Sequence, residues 1–248
     1  MNKHTKNIIF LLLGSGISLS PWCSTPVLCL VLVALTFVAF LIYGVVEIRF
    51  NYFLSSQHTV LSDKLVLSFD DGPNHSTQTI LNILKKHDVG AVFFLIGKNI
   101  DNEQELLEEL REGGFVLGNH SYSHPSNFAL MTTKSIITEL QITEQLLGKS
   151  SIRLFRPPFG ITSPQINRAV KHLDMKSIGW SLRSLDTLVN NKEQLVTKIL
   201  KKSNNGDIIL LHDEGKCTAS CLEEIIIKLK SSGKSFASNE DIVRLLHG

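Results

Sequence analysis

The chain has 248 residues, 43% of them apolar, and carries 25 Lys and Arg against 23 Asp and Glu for a formal charge of +2. Residues 1–60 hold Lys3, Lys6 and Arg49 against Glu47 alone, so the net charge lies there and residues 61–248 are formally neutral. A neutral body argues against a nucleic-acid partner, which needs clustered cations, and the apolar content argues against disorder; the length suits one sizeable core.

From Asn7 to Val46 there is no charged residue. Val27–Val46 reads as a transmembrane helix: such a run rises about 30 Å, the thickness of the hydrocarbon core. Trp22 and Tyr43 stand near its ends, as interfacial aromatics do. A shorter apolar stretch, Ile8 to Leu19, follows Lys3 and Lys6 and resembles the start of a signal peptide, without an evident cleavage site. Two topologies follow. One span leaves the body outside; two spans, turning at Pro21–Pro26, return it to the cytoplasm. The positive-inside rule does not separate them, because that turn is uncharged. Residues 1–47 are thus expected to be a membrane anchor, 48–63 a linker and 64–248 the folded domain.

The body alternates short apolar runs with helical patterns. Strands are expected at 65–69, 91–96, 115–117, 152–155, 175–180, 208–211 and 235–237. Helices are expected at 76–86, 101–112, 133–147, 163–172, 192–202, 222–230 and 241–246, with Ser76, Asp101 and Ser163 as starts and Gly113 and Gly148 as stops. Alternation of this kind implies an α/β fold with a parallel sheet, open or closed. Cys217 and Cys221, at helical spacing and with no His nearby, read as free thiols rather than a disulfide or a metal site.

Polar groups follow the strands. Asp70 and Asp71 come after the first, Asn119, His120 and His124 after the third, and Arg156 after the fourth. Trp180 and Asp186 follow the fifth, and His212 with Asp213 closes the sixth. In parallel α/β folds these ends share one side, where sites are built. His120 and His124, four apart, could point at one ion from a helical turn, with Asp70 or Asp71 as third ligand. Two imidazoles and a carboxylate suit zinc with an open position, and also iron, manganese, cobalt or nickel. Adjacent aspartates on an extended segment point opposite ways, so one could bind metal and the other act as base.

At FDDGPN (69–74), GNHSYSH (118–124), RLFRPPFG (153–160) and IILLHD (208–213) the sequence resembles the polysaccharide deacetylase family, the NodB-homology domain of carbohydrate esterase family 4. The motifs run in order through nearly the whole body. The resemblance implies a distorted (β/α)7 barrel, preceded here by one or two transmembrane helices. It implies Asp70 as general base, Arg156 as the residue orienting it, and His212 as general acid. Asp71, His120 and His124 correspond to ligands of a divalent metal ion, most readily zinc. Phe159 would offer its backbone N–H to an oxyanion, and Leu210 and Trp180 would line the substrate pocket. One motif departs: Arg183 and Thr187 stand where an aspartate and a tryptophan are usual, while Asp186, which would tune the acid histidine, is kept.

The function expected is metal-dependent N-deacetylation of amino sugars in a polysaccharide, oligosaccharide or lipid-linked glycan, at a bacterial-type cytoplasmic membrane. The side is left open, with the outer face favoured. No obligate protein partner is implied. A non-catalytic membrane-tethered glycan-binding module and a two-histidine, one-carboxylate iron oxygenase are the alternatives.

Overall fold

The structure, a computed structural model, describes residues 26–148, 152–215 and 217–247. The readings of Lys3, Lys6, Ile8–Leu19, Trp22 and the turn after Pro21 lie outside these residues. Helix α1 (Pro26–Val46) matches the expected span and leaves most of its apolar side chains exposed. Its end is tied to the body: Thr162 donates from its hydroxyl to the Gly44 carbonyl (2.9 Å) and from its amide to the Val45 carbonyl (2.9 Å).

Among the described residues, nine parallel strands form one curled sheet, a distorted (β/α) barrel wrapped by helices. They are β1 (Ser56–Gln57), β2 (Lys64–Asp70), β3 (Ala91–Leu95), β4 (Val116–Asn119), β5 (Leu154–Phe155), β6 (Lys176–Ile178), β7 (Leu182–Arg183), β8 (Ile208–His212) and β9 (Ser235–Phe236). The order is β1-β6-β5-β4-β3-β2-β8-β7, with β9 paired to the start of β2. The two strands beyond the seven expected, β1 and β7, have only two residues each and no apolar run to mark them.

Helices α2 (His75–His87), α3 (Gly97–Asn102), α4 (Gln104–Glu112), α5 (Thr133–Leu147), α6 (Pro164–His172), α7 (Lys192–Lys202), α8 (Thr218–Ser231) and α9 (Asn239–His247) connect them. Helix α2 starts one residue before the expected Ser76, because Asn74 and Thr77 form a reciprocal capping box. The single helix expected over 101–112 is two, broken at Glu103.

Residues 48–63 do more than link. Ile48, Tyr52, Leu54 and Val60 are buried, β1 pairs with β6, and Thr59 bridges Asp207 in antiparallel sense. The segment therefore lies across the gap between β6 and β8 as part of the folded body.

Side chains alternate faces along a strand. Leu65, Leu67 and Phe69 of β2, Phe93 and Leu95 of β3, and Ile209 and Leu211 of β8 face outward into the helix layer. Val66, Val92, Phe94, Val116, Leu154, Ile178 and Ile208 fill the barrel interior. Two or four residues further along five of these strands, β2, β4, β5, β6 and β8, the same inward face reaches Asp70, His120, Arg156, Trp180 and His212. The period of two that builds the apolar plug thus delivers the polar groups to its mouth.

Candidate active site

Asp70 ends β2 and is register partner to His212 at the end of β8. Its carboxylate accepts from Arg156 Nη1 at 2.6 Å. Arg156 is fully buried, and its other N–H groups reach Ser68 Oγ (3.1 Å) and the carbonyls of Ile178 (3.1 Å) and Gly179 (2.8 Å). The guanidinium also lies 4.0 Å from the centre of the Phe94 ring. A planar fork with fixed donors can satisfy all of these at once; a lysine could not. Ser68 was not expected from the sequence, although a lone polar residue within the apolar run LVLSF was a usable signal.

Asp71 leaves the strand with φ 74°. That left-handed turn reverses the expectation that adjacent aspartates diverge: both line the same pocket. The second correction concerns the histidines. Residues 120–127 form a loop, not a helical turn. Asn119 Oδ1 accepts from the Ser121 amide (2.9 Å) and Ser121 Oγ from the His124 amide (3.1 Å), while Ser121 and His124 adopt positive φ of 68° and 48°. Glu139 of α5 pins the loop's outer side through the amides of Tyr122 (3.1 Å) and Ser123 (2.8 Å).

The loop brings His120 Nε2 to 3.5 Å and His124 Nε2 to 3.6 Å from Asp71 Oδ1. The three donor atoms lie within 4.8 Å of one another. His120 Nδ1 is 2.8 Å from the Arg156 carbonyl, which can only accept, so Nδ1 carries the proton and Nε2 presents its lone pair. Burial pushes the His120 imidazole down to about 4 and also lowers His124, disfavouring the protonated form of each. Asp71 Oδ1 is buried and accepts no hydrogen bond. Burial, then the Asp70 charge, pushes its carboxyl up to about 6. A buried oxygen without a proton donor, facing two imidazole lone pairs, is a donor set that fits a divalent cation.

His212 stands across the pocket. Its Nδ1 is 2.8 Å from Asp186 Oδ1, and its amide donates to Asp186 Oδ2 at 2.7 Å. Ser184 Oγ (2.9 Å) and Thr218 Oγ1 (2.6 Å) complete the shell of this fully buried carboxylate. Burial alone would lower the imidazole; the Asp186 hydrogen bond and charge outweigh it and raise His212 to about 8. Ser184 and Thr218 had no signal in the sequence, since their contacts with Asp186 come from chain folding rather than from a motif.

The cavity between these groups measures about 180 Å³. Leu210 and Trp180 form an apolar wall with Ile48. Phe159, half-exposed and at φ 59°, packs tilted against the His124 ring at the rim, the ring centres 4.6 Å apart. Gly160 has φ 70°, and a Cβ there would run into the Trp180 ring, so only glycine fits. Arg183 and Thr187 fill the remaining wall. Left-handed backbone at Asp71, Ser121, His124 and Phe159 concentrates local strain around this cavity, as at many functional sites.

A family model described as polysaccharide deacetylase matches residues 58–178. The peptidoglycan-N-acetylmuramic acid deacetylase PdaA of Bacillus subtilis is 30% identical over 187 residues, covering 72% of this chain and 71% of that protein. The solved structure of the peptidoglycan deacetylase PdaC from Bacillus subtilis superposes with a TM-score of 0.67 at 29% identity, covering 75% of this chain and 92% of that one. A structure described as a CE4 family pseudoenzyme from Bacillus anthracis superposes with a TM-score of 0.69 at 27% identity, covering 77% of this chain and 68% of that one.

Proposed function

Because the chain belongs to the polysaccharide deacetylase family, we propose that it hydrolyses the N-acetyl group of amino sugars in a glycan, using a divalent metal ion. The observation that carries this is the orphaned, buried Asp71 oxygen facing two neutral imidazoles, flanked by the Asp70–Arg156 and His212–Asp186 pairs around one cavity.

Asp71, His120 and His124 would hold the ion, most readily zinc. Bound there, it would supply a Lewis acid that polarises the acetyl carbonyl and acidifies water. Arg156 holds Asp70 as an oriented carboxylate, which takes the proton from the attacking water. The backbone N–H of Phe159 helps to hold the oxyanion, and Leu210 and Trp180 shield the acetyl methyl. His212, protonated and fixed by Asp186, gives its proton to the departing amine. Acetate and a free amino sugar are the products. Helix α1 anchors the enzyme in the cytoplasmic membrane, with the barrel on the outer side.

Acetate release from N-acetylglucosamine oligomers, with and without a chelator, tests this reading. Wild type should release acetate only with metal, and Asp70→Asn and His212→Ala should lose at least about 100-fold in rate. Full activity of either variant would remove that residue from the mechanism. Binding of the oligomers without any acetate release would identify a non-catalytic module instead.

A further inference from the structure

A second concavity, of about 660 Å³, adjoins the catalytic pocket and shares Arg183 with it. It runs along edge strand β7 and is lined by five cations: Arg49, Arg183, Lys198, Lys201 and Lys202. Of these, only Arg49 has an acidic partner among the described residues, Glu47 at 2.8 Å. The acid in the groove, Asp207, is buried and already accepts from Ser181 Oγ and the Asn204 amide, both at 2.6 Å. Lys198 is held in place by the Ser184 carbonyl at 2.6 Å. Lys201 and Lys202 lie in the last turn of α7, where cations are favoured by the helix dipole, and the Arg183 guanidinium lies 5.8 Å from the centre of the Trp180 ring. Unpaired cations converging on one groove in a formally neutral body form a site for a strongly anionic group.

The position of the groove narrows the ligand. Arg49 stands three residues beyond the end of the apolar helix α1. Ile48 is buried against Trp180 and Leu210 of the catalytic wall, and Thr162 grips the helix carboxyl end, so no slack separates helix from barrel. With α1 in a bilayer, groove and pocket both stand next to the headgroup layer. We propose that the groove seats the phosphate or pyrophosphate of a lipid-linked glycan, whose first sugars then reach the catalytic pocket past Arg183. This deepens, and rests on, the deacetylase reading of that pocket.

The test uses the full chain in detergent micelles. Binding is measured for a short polyprenyl pyrophosphate without sugar, for inorganic pyrophosphate, and for vesicles containing phosphatidylglycerol. The polyprenyl pyrophosphate should bind more tightly than inorganic pyrophosphate, and Lys198→Gln/Lys201→Gln/Lys202→Gln should weaken it at least about tenfold. Equal binding by the variant would overturn the proposal. So would an equal loss on the vesicles, which would make the groove a general headgroup contact. Acetate release is then compared between an N-acetylglucosaminyl pyrophosphoryl lipid and a free N-acetylglucosamine oligomer. The ratio of kcat/KM should favour the lipid form in wild type and fall about tenfold in the variant; an unchanged ratio would overturn the proposal. No acetate from either substrate, with charge-dependent lipid pyrophosphate binding intact, would contradict the hydrolase reading and leave the groove assignment standing.

Discussion

Two histidines at the barrel mouth are driven in opposite directions. Desolvation takes the His120 imidazole down to about 4; at His212 burial also pulls downward, but the Asp186 hydrogen bond and charge outweigh it and the imidazole rises to about 8. Environments that push like residues apart separate a metal ligand from an acid. The acid is competent while His212 is protonated, so activity should decline as pH rises through about 8. Replacing Asp186 by Asn removes the charge that opposes burial. The alkaline limb of the pH–rate profile should then move to lower pH. An alkaline limb that stays in place would show that Asp186 is structural only. Arg156 raises a different issue, since it is a fully buried cation with a single ionic partner. Truncating it to Ala should destabilise the fold by about 3–5 kcal/mol, read as a lowered midpoint in urea, because Asp70 is left buried and unpaired.

At the scale of the elements, the alternating run KLVLSFD already contains the plan of β2: outward Leu65, Leu67 and Phe69, inward Val66, Ser68 and Asp70. Strands of this kind, and the helices ending at Leu147, His172 and Lys202, were legible because apolar period and capping residues agree. Strands β1 and β7 were not, because two residues carry no period and their pairing is decided by partners far along the chain. The loop of His120 and His124 departs from the expected helical turn for a different reason. Its shape comes from side-chain bonds to backbone by Asn119, Ser121 and Glu139, which compete with helix in a way that spacing does not reveal. Residues 48–63 offered little signal beyond scattered apolar positions, yet they close the barrel. A chain beginning at Lys64 should therefore be markedly less stable than one beginning at Glu47. The loss expected is several kcal/mol, since Ile48, Tyr52, Leu54 and Val60 leave the core and β6 loses a neighbour. Equal melting temperatures for the two chains would return the segment to the status of a linker.

For the whole molecule, the division of charge at residue 60 acquires a physical meaning. The uncharged stretch from Asn7 to Val46 ends in a helix gripped by Thr162, and the formally neutral body gathers four cations without an acidic partner among the described residues beside the pocket. Membrane anchoring predicts that the protein stays in the pellet after alkaline carbonate washing, and that a chain lacking residues 1–46 is recovered in the supernatant. The most direct measurement of the central assignment is a titration of chelated, full-length protein with zinc, following acetate release from N-acetylglucosamine oligomers. Activity should rise to a plateau near about one equivalent in wild type, while Asp71→Asn should neither bind zinc tightly nor recover activity. Full activity of the chelated protein, or a wild-type titration curve from Asp71→Asn, would contradict the assignment.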